Sequence, residues 1–325
     1  MSFTRRALGA GIAALAAPFV AHAQSQPWPA RPLRIVVPFS PGGSTDVLAR
    51  RLSERLATAL GQTVLVENRP GAGGTTGADY VAKSPADGYT LLMGVTGSNA
   101  IAQSLYPNLP YDTVRSFSPV SRVVSAPLVL VANNAMPAQD MAGYIAAAKA
   151  APNTVTHATP GNGTSMHLTG ELFAQKAEVR LVHVPYRGSA QAMTDLIAGQ
   201  VVSAFADILV ILPQIRAGAV RPLAVSSLTR HPLLPGVPTM AESGLPGFEA
   251  FSWQGLFAPA GLPAPVMDKL YAEVARAMQA PEIQESFAAQ GFIVEATPPA
   301  DFAAFVASET ARWGAVVRAG NVTLG

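Results

Sequence analysis

Strand-length apolar runs alternate with helix-length amphipathic ones along most of this chain, and the joints between them are rich in glycine. Leu33 to Phe39 predicts a strand, Ser44 to Leu60 a helix with Val47, Leu48, Leu52, Leu56 and Leu60 on one face, and Thr63 to Asn68 a second strand. Gly61 stands where a helix stops in the left-handed conformation. The plan repeats with a helix near Thr75 to Lys83, a turn at Pro85 to Gly88 and a strand Tyr89 to Val95. Downstream, strands are predicted near Val123 to Ala132, Val155 to Ala158, Arg180 to Val184, Val201 to Ala206 and Pro222 to Ser226. Between them lie helices over Gln139 to Ala150, Ser165 to Lys176, Ser189 to Ala198 and Leu209 to Ala217. Thr229 to Gly247 is irregular, Phe251 to Ala258 extended, and Pro265 onward mostly helical. A chain built this way folds as α/β, with mostly parallel sheets covered by helices on both faces.

The first 23 residues predict a cleaved leader. Arg5 and Arg6 precede the apolar stretch Ala7 to Val20, and Ala21-His22-Ala23 gives a small-x-small site before Gln24. Gly9, Gly11 and Pro18 interrupt a stretch already too short to span a bilayer. Removing residues 1 to 23 from 325 leaves 302, and takes two of the 22 basic residues, so 20 basic face 20 acidic ones. The mature chain is therefore formally neutral, without the basic runs that bind nucleic acid. With no cysteine there is neither a disulfide framework nor a thiolate metal site, and no lipid anchor on cysteine. The expected location is the periplasm, and the expected form a monomer.

The glycine-rich joints raise the question of ligand. "FSPGGSTD", Phe39 to Asp46, joins the first strand to the first helix, where backbone N–H groups at the positive helix end suit phosphate, sulfate or carboxylate, or where a plain N-cap suffices. No Gly-Lys pair exists for a Walker loop, and "GAGGTTG" has Thr76 where the dinucleotide pattern needs its third glycine, so no nucleotide cofactor is expected. "ATPGNGTSMH" repeats the strand-turn-helix logic with Gly161, Asn162, Gly163, Thr164 and Ser165. Gly163 to His167 is not a nucleophile elbow, and Ser165 and His167, two apart on a helix, point to different faces. His157, His167, His183 and His231 lack metal-ligand spacing. Catalytic residues, metals and cofactors are thus all expected to be absent, and an exported hydrolase is the weaker alternative.

Two anion-receptive helix starts, one in each half, suggest a ligand held between two domains, outside the carboxyl ends of the strands. Backbone N–H groups and the hydroxyls of Ser44, Thr45, Thr164 and Ser165 suffice for carboxylates. Arg187 in "VPYRGSAQ" either adds a cation or is a surface arginine, and Asp207, ending "VSAFAD", either accepts from a ligand amine or hydroxyl or caps the following helix.

Taken in order, "WPARPLRIVVPFSPGGSTDVLAR", "VENRPGAGGTTGADYVAKSPADGYTLL", "LPYD" with "FSPV", "GNGTSMHLTGELF", "VPYRGSAQAMTDLIAGQV", "LPQIRAGAVRPLAVSS" and "PGVPTMAESGLPGFEAFSWQGLFAPAGLP" resemble the Bug (TctC-type) extracytoplasmic solute-binding proteins of tripartite tricarboxylate transport systems. The resemblance covers essentially the whole mature chain. It implies a two-domain periplasmic-binding-protein (Venus flytrap) fold closing on a small organic carboxylate. It implies that the loops Phe39, Ser40, Gly42, Gly43, Ser44, Thr45 and Asp46, and Gly161 to Ser165, catch carboxylates, that Thr96 and Ser98 in the loop Thr96 to Asn99 face the same cleft, and that Asp207 sits near its wall. The implied partners are membrane subunits of a tripartite transporter, with a membrane sensor kinase as the alternative. The domains are expected at 24–124 plus 253–325 and at 125–252, with hinges where two long extended segments cross. Ile208, Leu209 and Val210 stand where small or polar residues are common in such proteins, so an apolar pocket wall suited to aromatic or aliphatic acids is a further expectation.

Overall fold

The computed structural model describes residues 28–324, so the leader expected at 1–23 lies outside the described residues. From its start run β1 (Leu33–Val37), α1 (Ser44–Leu60), β2 (Val64–Asn68), a short 3₁₀ turn (Ala72–Gly74), α2 (Thr75–Ala82) and β3 (Thr90–Val95). A single π-turn (Gly97–Ile101) and α3 (Ala102–Leu105) lead to the long strand β4 (Phe117–Asn133). Then follow α4 (Met141–Ala150), β5 (Thr156–Thr159), α5 (Ser165–Ala177), β6 (Val182–Pro185), α6 (Ser189–Ile197), β7 (Ser203–Asp207), α7 (Ile208–Arg216) and β8 (Val220–Val225). The chain returns through β9 (Phe251–Pro259) and finishes with α8 (Ala264–Gln279), α9 (Pro281–Ala288), β10 (Ile293–Val294) and α10 (Pro299–Ala319).

Local signals account for much of this. Helix α1 buries Leu48, Leu52, Leu56 and Leu60 at three-to-four-residue spacing and ends at Gly61 with φ 65°. Pro263, Ala280 and Pro298 precede α8, α9 and α10, and each of these helices carries proline in its first turn, where no backbone donor is needed.

The strands join in the order β2-β1-β3-β9-β4-β7-β5-β6, with β8 and β10 also on β4. Pairing is parallel at both ends, β2-β1-β3 and β7-β5-β6, each with helical crossovers, as the alternation predicts. It is antiparallel in the middle, because β4 runs from one end to the other and β9 returns alongside it. β4 starts at Phe117, earlier than the pattern predicts, and register shifts at Pro119/Ser121 and Arg122/Val124 let this 17-residue strand bend. Gly94 and Gly255 face each other across β3 and β9; a Cβ on Gly94 would meet the Phe257 ring at 2.5 Å, and one on Gly255 would strike Phe302. The paired glycines make room for those two rings in the core.

One apolar cluster runs through both ends, from Val36 and Leu92 through Leu128 and Leu130 to Phe173, Phe205, Trp253 and Trp313. A second packs α1 and α8 on the β1 end, and a third packs α6 and α7 on the β5 end. Glu309 on α10 accepts from the indole N–H groups of Trp253 (3.1 Å) and Trp313 (2.9 Å), tying the C-terminal helix to the returning strand. Among the described residues no helix is long and apolar enough to cross a membrane.

Candidate functional site

The carboxyl ends of β1, β3, β5 and β7 face one another across the boundary between the two ends of the sheet. Three contacts define the meeting. Ser44 Oγ donates to Asp207 Oδ2 at 3.2 Å. A Cβ on Gly73 would lie 2.5 Å from Asn162 O, and one on Gly97 2.7 Å from Gly163 O. Glycine lets these backbones approach closely where any side chain would hold them apart.

The turn after β1 is shaped by Asp46. Its carboxylate accepts from Gly42 N (3.0 Å), from Arg50 Nε and Nη2 (both 3.0 Å) and from Asn68 Nδ2 (2.9 Å). Burial alone would raise its pKa, but these bonds and the Arg50 charge hold it below the ordinary carboxylate range. Asp46 is thus engaged within its own turn through both carboxylate oxygens. Gly42 has φ 88°, and Asn68 also donates to Phe39 O, so the half-buried Phe39 and the exposed Ser40 sit on a braced loop. Helix α1 begins after Gly43, which supplies no side-chain cap. The first N–H groups, at Ser44, Thr45 and Asp46, therefore lack both an intrahelical acceptor and a side-chain cap.

The turn after β5 differs. Thr164 Oγ1 donates to Gly161 O (2.8 Å) and accepts from His167 N (3.4 Å), so this hydroxyl is the cap of α5. Ser165 Oγ turns to Met166 Sδ (3.3 Å), and Asn162 Nδ2 donates to Leu324 O (3.2 Å). Gly163 N donates to His167 Nδ1 (3.2 Å). Both this turn and the β1 turn border the boundary, but the side chains of Asn162, Thr164 and Ser165 serve the fold.

Thr96 and Ser98 are likewise hydrogen-bonded within the fold. Their segment is a buried π-turn and not a surface loop: Thr96 Oγ1 accepts from Trp253 N (2.9 Å), and Ser98 Oγ donates to Asn99 Oδ1 (2.7 Å). Packing of this turn beneath α10 replaces solvent exposure. Arg187 is exposed and makes no ion pair among the described residues; Gly188 beside it, at φ 126°, precedes α6 without a side-chain cap. Ile208 is fully buried in the third cluster, in a place where a Cβ on Gly291 would collide with it, while Leu209 and Val210 pack against the second and third clusters. Of the three residues of the expected apolar wall, Ile208 is core and Leu209 and Val210 are half-buried.

Beneath the β5 turn lies a histidine stack. His167 and His183 rings lie 3.8 Å apart at 11°, and His157 is 5.9 Å from His183 and edge-on to Phe205 at 5.4 Å. Burial, then the neighbouring His183, pushes His167 down to about 3; burial takes His183 to about 4. Burial, then His183 and His167, puts His157 well below 6.5 despite an opposing pull from the Met166 backbone. These rings are neutral, and among the described residues no His, Asp and Glu group is arranged to hold a metal.

Gly97 lies in the expected loop Thr96 to Asn99, whereas Gly73 and Gln254 were not singled out by sequence reasoning. The 71–74 glycines read as a turn that fails the nucleotide pattern, and a lone glutamine inside the apolar strand "FSWQGLFAP" is the available signal for Gln254. Gln254 is 2% exposed and donates Nε2 to Ser44 Oγ at 3.4 Å.

Residues 48–322 match the model of the tripartite tricarboxylate transporter family receptor. The chain is 40% identical over 319 residues to the protein BugT of Bordetella pertussis, covering 98% of each. Among solved structures, the periplasmic binding protein BugD aligns with TM-score 0.84 and 37% identity over 91% of this chain and 99% of that one. Rpa4515 of R. palustris, solved with adipate, aligns with TM-score 0.86 and 35% identity over 91% of this chain and 99% of its own.

Proposed function

This chain belongs to the tripartite tricarboxylate transporter receptor family, as a Bug (TctC-type) solute-binding protein with the periplasmic-binding-protein fold, and from that premise we propose that it captures a small organic carboxylate between its two domains for delivery to a tripartite transporter. The observation that carries the reading is the start of α1, whose first N–H groups lie uncapped beside a part-buried contact to the opposite end of the sheet. A carboxylate oxygen accepts such N–H groups and meets the positive helix end. The adipate held by Rpa4515 agrees with this chemistry.

On this reading the domains are 24–124 plus 253–325 and 125–252, with β4 and β9 crossing between them. The ligand contacts are Ser40, Gly42, Gly43, Ser44 and Thr45 on one side and the backbone of Gly161 to Gly163 with Asp207 on the other. Arg187 is placed to add a cation at the rim. Asp46, Thr164, His167 and His183 hold the two turns in shape. The protein works in the periplasm after cleavage behind Ala23, performs no catalysis, and acts as a monomer that docks on membrane subunits.

The test is isothermal titration and thermal shift of the chain from Gln24 onward, unfolded and refolded to strip bound ligand, against di- and tricarboxylates, aromatic acids and acidic amino acids. Ligand at 100 times its Kd adds about 2.7 kcal/mol to the folded state. A shift with one acid class supports the proposal; turnover of any of them, or no shift with any, overturns it.

A further inference from the structure

Two acceptor oxygens at the boundary are among the buried polar atoms without a hydrogen-bond partner. Asp207 ends β7 immediately before α7, where an aspartate ordinarily caps the helix, yet its side chain makes no cap bond. The carboxylate turns instead to the opposite end of the sheet, where Oδ2 accepts from Ser44 at 3.2 Å. The residue is 5% exposed, and Oδ1 has no partner. Gln254, on β9, reaches the same serine through Nε2, and its Oε1 is likewise without a partner. Ser44 has one hydroxyl proton, and Asp207 receives it, so turning the glutamine oxygen toward Ser44 leaves that oxygen equally unmet. Buried acceptors without donors are uncommon and costly.

Among the described residues no charge compensates Asp207. The neighbours that favour its ionised form are the neutral hydroxyls of Ser44 on α1 and Ser252 on β9, and burial outweighs them, raising its pKa to about 6. Uncapped N–H groups of α1 serve anions; the oxygens beside them serve donors. Ile208 is buried in the core, so apolar contact from that side does not substitute for polar recognition.

We propose that the ligand is a carboxylate that also bears an amino or hydroxyl group, and that Asp207, with Gln254 beside it, accepts the hydrogen bond from that group. This rests on the carboxylate-binding reading and narrows it. The carboxylate identifies the class, and the donor decides among its members.

The experiment titrates the stripped chain from Gln24 onward with matched acids of three to six carbons, each as an unsubstituted, a hydroxy and an amino member, such as succinate, malate and aspartate. In one set or more, a donor-bearing member should bind about tenfold or more tighter than its unsubstituted counterpart, as expected where a buried acceptor is left unpaired by the analogue. Asp207→Ala should bring the members of that set to within about twofold. Asp207→Asn, the same shape and able to turn an N–H outward, should move the preference toward the unsubstituted acid, and it serves where the alanine variant fails to fold. An unsubstituted acid binding as tightly as its partners in every set, or a preference unchanged in both variants, overturns the proposal while leaving carboxylate binding intact. No binding by any acid overturns the carboxylate reading itself, and this inference with it.

Discussion

Acidification from pH 7.5 to 5 should cost this protein about 3 kcal/mol of stability, and the histidine stack is the reason. His167 and His183 have native pKa values of about 3 and about 4, held down first by burial. Both are neutral in the folded state at pH 5, whereas in the unfolded chain each titrates near 6.5 and is protonated. The unfolded state therefore binds more protons, so stability is complete above about pH 6.5 and falls as the pH drops toward the native values. At 1.5 units below 6.5 each histidine costs about 2 kcal/mol, about 4 for the two. His157, 2% exposed and pushed well below 6.5 first by burial, acts in the same direction. Asp207 acts oppositely: its native value near 6 lies above the ordinary one, so it contributes about 1 kcal/mol at pH 5 that vanishes as the pH rises through 6. A loss of about 3 kcal/mol is a large share of a typical total of about 5–15 kcal/mol. The assay is urea unfolding followed by fluorescence of the buried Trp253 and Trp313 at pH 7.5, 6.5, 5.5 and 5. His157→Leu removes two ring nitrogens that lack hydrogen-bond partners, so it should be neutral or stabilising at pH 7.5 and make the acid slope shallower. A stability flat across this range in the native protein, or an unchanged slope in His157→Leu, would refute the reasoning.

Three further outcomes follow from single contacts. Glu309→Ala strands the buried indole N–H groups of Trp253 and Trp313 and frees Arg312, and should lower unfolding free energy by about 3 kcal/mol in urea titration; a change under about 1 kcal/mol would mean water replaces the carboxylate. Gly97→Ala places a methyl 2.7 Å from Gly163 O without a left-handed backbone penalty, so it should raise the ligand Kd and the radius of gyration in solution scattering; unchanged scattering and affinity would show that the two turns do not set closure. Asp46→Asn removes the charge from the carboxylate that holds Arg50, Gly42 and Asn68, and should cost about 1.5–3 kcal/mol at pH 7. Because the native Asp46 pKa is lowered, that difference should be full above about pH 4 and shrink as the pH falls through the native value; a difference constant down to pH 2 would contradict it.

The legible part of the fold was the part written in short stretches. Helix α1 runs from Ser44 to Leu60 as its pattern predicts, because Gly43 and Gly61 bracket it and its leucines repeat on one face. Strands β1, β2, β3, β5, β7 and β9 fall within a few residues of expectation for the same reason. The start of β4 was not legible: Pro119 and Ser121 break the alternation, and only pairing with β9 across two register shifts holds that stretch extended. The π-turn at 97–101 had no local signal either, since burial under distant elements, and not the composition of "GSNAI", keeps it wound.

At the candidate site the division is sharper. The sequence by itself determined which turns carry glycine, which helices begin beside them, and that no cysteine, Walker lysine or nucleophile elbow is present, because those are properties of adjacent residues. Only the tertiary structure decided where the polar side chains point. Thr164 and Asp207 both precede helices, yet one caps its helix and the other reaches a serine 163 positions away. Ile208 meets Gly291, and Thr96 meets Trp253, likewise across long spans of chain. A short polar side chain takes the partner that packing delivers to it, and packing is set by the whole sheet; its own neighbours in sequence fix only the backbone from which it starts.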